Sequence, residues 1–189
     1  LIARKMAPAL VTGNTIVIKP SEETPLNAFL FAKLLHAAEL PRGVFNLVGG
    51  RGETTGAALT GSRAIDMVSF TGSVETGSRI MQAAGRNLTR VNLELGGKAP
   101  AIVLADADLD LASTAITASR VINTGQVCNC AERIYVQRAV ADEFITKLTA
   151  KMAATRYGDP IADPSIDMGP LVNKEGLDKV AAMVEQAKR

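Results

Sequence analysis

Hydrophobic positions recur at two different periods along the chain, and the alternation between the two predicts its elements. Residues 1–11 carry apolar side chains at helical spacing, interrupted by Pro8, and Gly13-Asn14 supplies the stop. Residues 15–19 form a near-continuous β-branched run of the kind found in a sheet covered on both faces; Pro20 ends it because proline has no N–H for the ladder. Thr24-Pro25 predicts a helix start, with the threonine hydroxyl as cap and proline in the first turn, and the helix runs to about Ala38 before Leu40-Pro41-Arg42-Gly43 turns the chain. The pattern then predicts strands over 44–48, 65–70 and 90–95, with a helix over 74–84 between the last two. Further on it predicts a strand over 101–104, a helix capped by Asp106 or Asp108 and apolar through Val121-Ile122, a strand over 134–137 and a helix over 140–154. Gly158-Asp159-Pro160 breaks that helix, a polar loop runs to Pro170, and an amphipathic helix spans about 173–188. Strands alternating with helices in this way argue for a parallel sheet with helices on both sides.

The turns add chemistry to this frame. Gly49-Gly50-Arg51-Gly52-Glu53-Thr54-Thr55-Gly56 leads from a strand into a short helix, and Thr71-Gly72-Ser73 does the same one unit later. Strand, glycine loop and helix is the arrangement that presents helix N-terminal N–H groups to a phosphate. Gly77 lets the helix over 74–84 approach neighbouring backbone closely, and Lys19 and Glu22 sit at the carboxyl end of the first strand. Gly96-Gly97 is the best candidate for a domain boundary, dividing residues 1–95 from 96–189.

Composition narrows the partners. A chain of 189 residues, 47% hydrophobic but only 4% aromatic, suits one or two α/β cores built from Ala, Val, Leu and Ile. The net charge of +2 is spread over scattered basic residues, which argues against nucleic-acid and membrane surfaces and for small molecules. The start, Leu1-Ile2-Ala3-Arg4-Lys5, has neither an initiator methionine nor a signal-peptide layout, and reads as the middle of a protein. The two cysteines, one residue apart, are too close for an ordinary structural disulfide and favour a reducing compartment, with the cytoplasm as default. Cys-x-Cys with His36 as the sole histidine falls short of a zinc ligand set, so no metal site is expected; His36 itself reads as a solvated helix residue.

Both cysteines lie in Gly125-Gln126-Val127-Cys128-Asn129-Cys130-Ala131-Glu132-Arg133, a glycine-opened polar loop between a long apolar helix and a strand. Cys128 is a candidate nucleophile, since a thiol exposed on a loop and supplied with a base can react as the thiolate, or else a small buried apolar residue. Glu94, in Leu93-Glu94-Leu95-Gly96-Gly97-Lys98, is a candidate general base, or else a strand-end carboxylate in a salt bridge with Lys98. Cys130 is a packing residue or a partner in a strained, reversible link.

Leu93-Glu94-Leu95-Gly96-Gly97-Lys98 and Gly125-Gln126-Val127-Cys128, preceded in order by Lys19-Pro20-Ser21-Glu22 and Phe70-Thr71-Gly72-Ser73, resemble the aldehyde dehydrogenase superfamily. The run from Ser119 to Arg133 is similar to its lactaldehyde and glycolaldehyde branch, and the resemblance covers essentially all of the chain but only the middle of the family's longer one. It implies an α/β fold, a Rossmann-like parallel-sheet NAD-binding unit followed by the first part of an α/β catalytic domain. It implies an NAD-dependent oxidation of an aldehyde, a small hydroxyaldehyde such as lactaldehyde or glycolaldehyde, through a Cys128 thiohemiacetal and thioester with Glu94 as base. The backbone N–H of Cys128 is one oxyanion donor; the family's second, an asparagine, precedes residue 1. Lys19 and Glu22 match the pair at the adenosine ribose, and a carboxylate there repels a 2′-phosphate, favouring NAD over NADP. Gly72, Ser73 and Gly77 match the phosphate-binding turn, and Gly52 a position along the same cofactor. Asn129 matches a position that faces the substrate hydroxyl, or is an ordinary loop asparagine. The intact parent is expected to be a homo-oligomer, a dimer or tetramer. Two alternatives stand beside this reading: a CoA-acylating or semialdehyde dehydrogenase of the same superfamily, against whose CoA step the retained Glu94 argues, and an inactive NAD-binding fragment with open sheet edges.

Overall fold

The computed structural model describes residues 1–189. The chain divides into two compact units, Leu1–Leu95 and Gly96–Arg189.

The first unit opens with α1 (Ile2–Val11), whose one buried side chain is Met6, and continues through β1 (Ile16–Ile18), α2 (Leu26–Ala37) and β2 (Phe45–Leu47). A single π-helical turn, Gly52–Gly56, runs directly into α3 (Ala57–Thr60), followed by β3 (Met67–Gly72), α4 (Val74–Gly85) and β4 (Arg90–Leu95). Pairing is parallel, as helical crossovers require, but in two separate couples, β1 with β2 and β3 with β4, rather than one continuous sheet. β3 and the start of α2 depart most from what the sequence pattern predicts. β3 begins at Met67, Ile65 being held in a turn to the Ser62 carbonyl, and extends through Gly72 because its partner β4 continues in register to Leu95. At α2, Thr24 is not the cap: Pro25 takes that place in a helical conformation, no side chain caps the helix, and the N–H groups of Ala28 and Phe29 donate to the Pro25 carbonyl. α4 is capped by Ser73, whose Oγ accepts from the Thr76 N–H at 3.1 Å.

The second unit is a β-α-β crossover, β5 (Pro100–Val103), α5 (Leu109–Val121) and β6 (Arg133–Val136), with α6 (Ala141–Ala153) packed on α5 and α7 (Lys174–Ala187) ending the chain. β5 and β6 are parallel, Val103 in register with Val136. Asp108, not Asp106, caps α5, its carboxylate accepting from the N–H groups of Asp110 and Leu111 at 3.0 Å each. Alternation along β5 turns Ala101 and Val103 inward, and Val103, Ile116, Ala131 and Phe144 form the core, with Ala101, Ala112, Val136 and Leu148 against it. Phe144 is 1% exposed and is the largest fully buried side chain. The polar loop before α7 is folded back on itself, with Gly158 N–H donating to Met168 O at 3.0 Å and Arg156 N–H to the Asp167 carboxylate at 2.9 Å. No helix is long and apolar enough to cross a membrane, and no cluster of His, Cys, Asp and Glu that could hold a metal ion is present.

Candidate active site

The first unit gathers Lys19, Glu22 and Gly52 into one network at the carboxyl ends of β1 and β2. Lys19 Nζ donates to the Pro20 carbonyl at 2.7 Å, to the Gly50 carbonyl at 3.2 Å and to Glu22 Oε2 at 3.3 Å, while Glu22 Oε1 accepts the Gly52 N–H at 3.2 Å. The Glu22 carboxyl is held below its ordinary range, first by its own backbone N–H, then by that of Gly52 and by Lys19. A carboxylate beside an ammonium at the mouth of a strand–loop–helix unit has the donors and acceptors that sugar hydroxyls need.

Across the unit, Gly72 ends β3 and Ser73 begins α4, whose early N–H groups are the anion-binding feature of such a turn. The Ser73 hydroxyl hydrogen is donated to Thr76 Oγ1 at 2.9 Å, so a phosphate that took it would displace that threonine. Gly77 is buried one turn along, where a Cβ would come within 2.7 Å of a Leu95 methyl. Its lack of a side chain is what lets α4 lie down on β4.

Glu94 lies in β4 in register with Thr71, directly beside this turn, on the exposed face of a strand that alternates outward and inward. Lys98 is not its partner: Lys98 Nζ bonds Glu132 Oε2 at 3.0 Å, and Glu132 Oε1 also accepts from Arg120 at 2.9 Å. The Glu132 carboxyl is lowered by its bond to Lys98 and next by Arg120. A residue the sequence reading missed is Lys5 of α1, whose Nζ donates to Ser69 Oγ at 2.8 Å. Burial pushes the Lys5 ammonium down from its usual range and the nearby Glu94 charge pulls it back. Nothing in the helical spacing of α1 distinguishes a lysine that turns toward β3 from one left in water.

In the second unit, α5 delivers the cysteine loop. The helix gives way at Ile122–Gly125 to a tight turn in which Asn123, Thr124 and Gly125 all have positive φ, at 49°, 58° and 76°. After it Cys128 and Asn129 are exposed, whereas Cys130 is fully buried. The Cys130 N–H closes a turn onto the Val127 carbonyl at 3.2 Å, and the Ala131 N–H is taken by Ser119 Oγ of α5 at 3.2 Å. Burial makes Cys130 a packing residue and leaves Cys128 as the thiol free to meet a reagent.

A sequence profile described as the aldehyde dehydrogenase family matches residues 1–189. The chain belongs to the aldehyde dehydrogenase family. Among relatives, lactaldehyde dehydrogenase of Escherichia coli K12 is 60% identical over 187 residues, 99% of this chain and 39% of that protein, and 3,6-anhydro-alpha-L-galactose dehydrogenase of Vibrio sp. EJY3 is 48% identical over the same shares. The crystal structure of the E. coli lactaldehyde dehydrogenase superposes with a TM-score of 0.92 over 98% of this chain and 40% of that one. Betaine aldehyde dehydrogenase of Staphylococcus aureus, solved in complex with NAD+, is 38% identical with a TM-score of 0.90, over 97% of this chain and 36% of its own. The chain therefore spans about two fifths of the length of these aldehyde dehydrogenases.

Proposed function

We propose that this chain carries the nucleophile and much of the dinucleotide site of an NAD-dependent aldehyde dehydrogenase acting on a small hydroxyaldehyde such as lactaldehyde or glycolaldehyde. The observation that carries the reading is the loop after α5, which holds one cysteine exposed at Cys128 and buries the other two residues later. The 60% identity to a lactaldehyde dehydrogenase supports the substrate class.

In this reading Glu94 accepts the Cys128 proton and Sγ adds to the aldehyde carbon, giving a thiohemiacetal whose oxyanion accepts a hydrogen bond from the Cys128 backbone N–H. NAD+, held by the residues around Lys19, Glu22 and Ser73, would supply the hydride acceptor needed for this species to become a thioester. Glu94, having released its first proton to solvent, then takes a proton from water as the water oxygen attacks the thioester carbon; the C–S bond breaks, Glu94 returns that proton to the Cys128 thiolate, and the product acid leaves as the carboxylate with loss of its own proton to solvent. Lys19 and Glu22 hold the ribose hydroxyls, Gly52, Gly72, Ser73 and Gly77 shape the approach of the pyrophosphate, and Asn129 offers its amide to the substrate hydroxyl. The negative Glu22 disfavours a 2′-phosphate, hence NAD rather than NADP.

The test is a single turnover of the chain with NAD+ and glycolaldehyde, reading NADH absorbance and intact mass, beside Cys128→Ala. NADH formed with an acyl adduct that disappears in the variant is the expected result. An adduct that persists in C128A, or a folded, NAD+-binding chain that never forms one, overturns the assignment.

A further inference from the structure

The left-handed turn before the nucleophile loop is made of residues with unequal tolerance for it. Asparagine and glycine enter positive φ readily, but Thr124, at φ 58° and ψ 35°, is β-branched and belongs to the class that avoids this region. A residue stays there only where its surroundings over-determine it.

Two long-range hydrogen bonds supply that determination, both from the segment that precedes α7. Half-buried Thr124 donates its hydroxyl to the Gly169 carbonyl at 3.0 Å, across 45 residues. Gln126 accepts the Val172 N–H on Oε1 at 3.0 Å and, with the other end of the same amide, donates to the Asn123 carbonyl at 3.0 Å. Asn123 Nδ2 returns a bond to the Gln126 carbonyl at 3.3 Å, so the turn is stitched to itself and to the 169–172 segment at once. That segment is itself fixed: Met168 pairs with Tyr157, and Asn173, one residue beyond Val172, caps α7 by accepting the Gly176 N–H at 2.9 Å.

We propose that Thr124 and Gln126 are positioning residues for Cys128, and that residues 169–172 act as a strap that holds the left-handed turn and so decides which cysteine of the loop faces outward. The peptide direction leaving Thr124 sets the register of the next few residues, in which position 128 is exposed and position 130 is fully buried. Without the strap Thr124 drops to an ordinary backbone conformation and that in–out register is lost. The inference gives a geometric cause to the nucleophile assignment above and rests on it for its meaning; its test reads loop register alone, so failure of one leaves the other standing.

The experiment is alkylation of the native chain with iodoacetamide, with the two sites resolved by peptide mass. The wild-type chain is expected to label at Cys128, and Thr124→Val and Gln126→Ala to lose at least tenfold of the preference for Cys128 over Cys130. Thr124→Ser, which keeps the hydroxyl, retains the preference, and Ile116→Val, a core variant that loosens the unit elsewhere, retains it as well. Gln126 is exposed, so its replacement carries the test even where T124V folds poorly. Wild-type selectivity in folded T124V and Q126A, or equal loss in I116V, overturns the proposal.

Discussion

Gly125→Ala weighs backbone strain against a specific side-chain collision. Gly125 sits at φ +76°, and an alanine forced there carries a penalty of about 1–2 kcal/mol, from which about 0.4–1 kcal/mol is recovered because alanine has fewer unfolded conformations to lose. The added Cβ would also lie 2.6 Å from Arg120 Nη2 and 3.4 Å from the Arg120 carbonyl oxygen. The guanidinium is the movable group, but it withdraws only by releasing Glu132, bonded at 2.9 Å. With side chains 33% and 27% exposed, that pair contributes about 0.5–1 kcal/mol. The net expectation is a loss of about 1–2 kcal/mol, roughly half of it through Arg120. Urea unfolding followed by circular dichroism measures it, and Arg120→Ala with the double variant closes a cycle. In the R120A background the cost of G125A should shrink to the backbone part. Strict additivity of the two changes, or a neutral G125A, would refute the reasoning.

Two further perturbations test other parts of the fold. Phe144→Ala removes the largest buried side chain of the second unit's core and should cost about 3–5 kcal/mol in urea midpoint experiments, with a smaller loss for Phe144→Leu; a loss under about 1 kcal/mol would mean this core does not hold the unit. Glu132 governs an acid transition. Its carboxyl is depressed in the folded state, so the unfolded chain binds its proton first as pH falls; the stabilisation is complete above pH 4.5 and is lost as pH falls through the folded-state value. Glu132→Gln should flatten the decline in urea midpoint as pH falls below about 5, and an unchanged decline would show that other carboxylates set it.

The alternation of strands and helices was legible because it depends on periodicity, which local sequence carries. The β-branched run ending at Pro20, the helix after Ser73 and the apolar stripe of α5 all appear where their residues suggest. What escaped the sequence is set by partners far along the chain. β3 ends at Gly72 because β4 pairs with it that far, a fact about residues 90–95 rather than 65–70. The start of α2 at Pro25 rather than Thr24 is the one local departure, the Pro25 carbonyl taking the N–H groups of Ala28 and Phe29. Thr124 in the left-handed region runs against its own preference, and only the Gly169 carbonyl, 45 residues away, makes sense of it. Of the candidate site, the motif residues were recognisable by type and spacing, whereas Lys5, packed toward Ser69 and Glu94, carried no mark at all.

The Lys19 network has a consequence for what can enter it. An ammonium has three hydrogens to give, and all three already point at oxygens, those of Pro20, Gly50 and Glu22. Any incoming hydroxyl must therefore take the place of an acceptor already there, and a single hydroxyl that displaces Glu22 only trades one bond for another. A vicinal diol escapes this stalemate, because one hydroxyl can accept from Lys19 while its neighbour donates to the carboxylate it has dislodged. In the ribose role proposed above, the pair would thus work as an exchange filter for adjacent hydroxyls, and a ligand with one of them removed would forfeit more than the single contact it lacks.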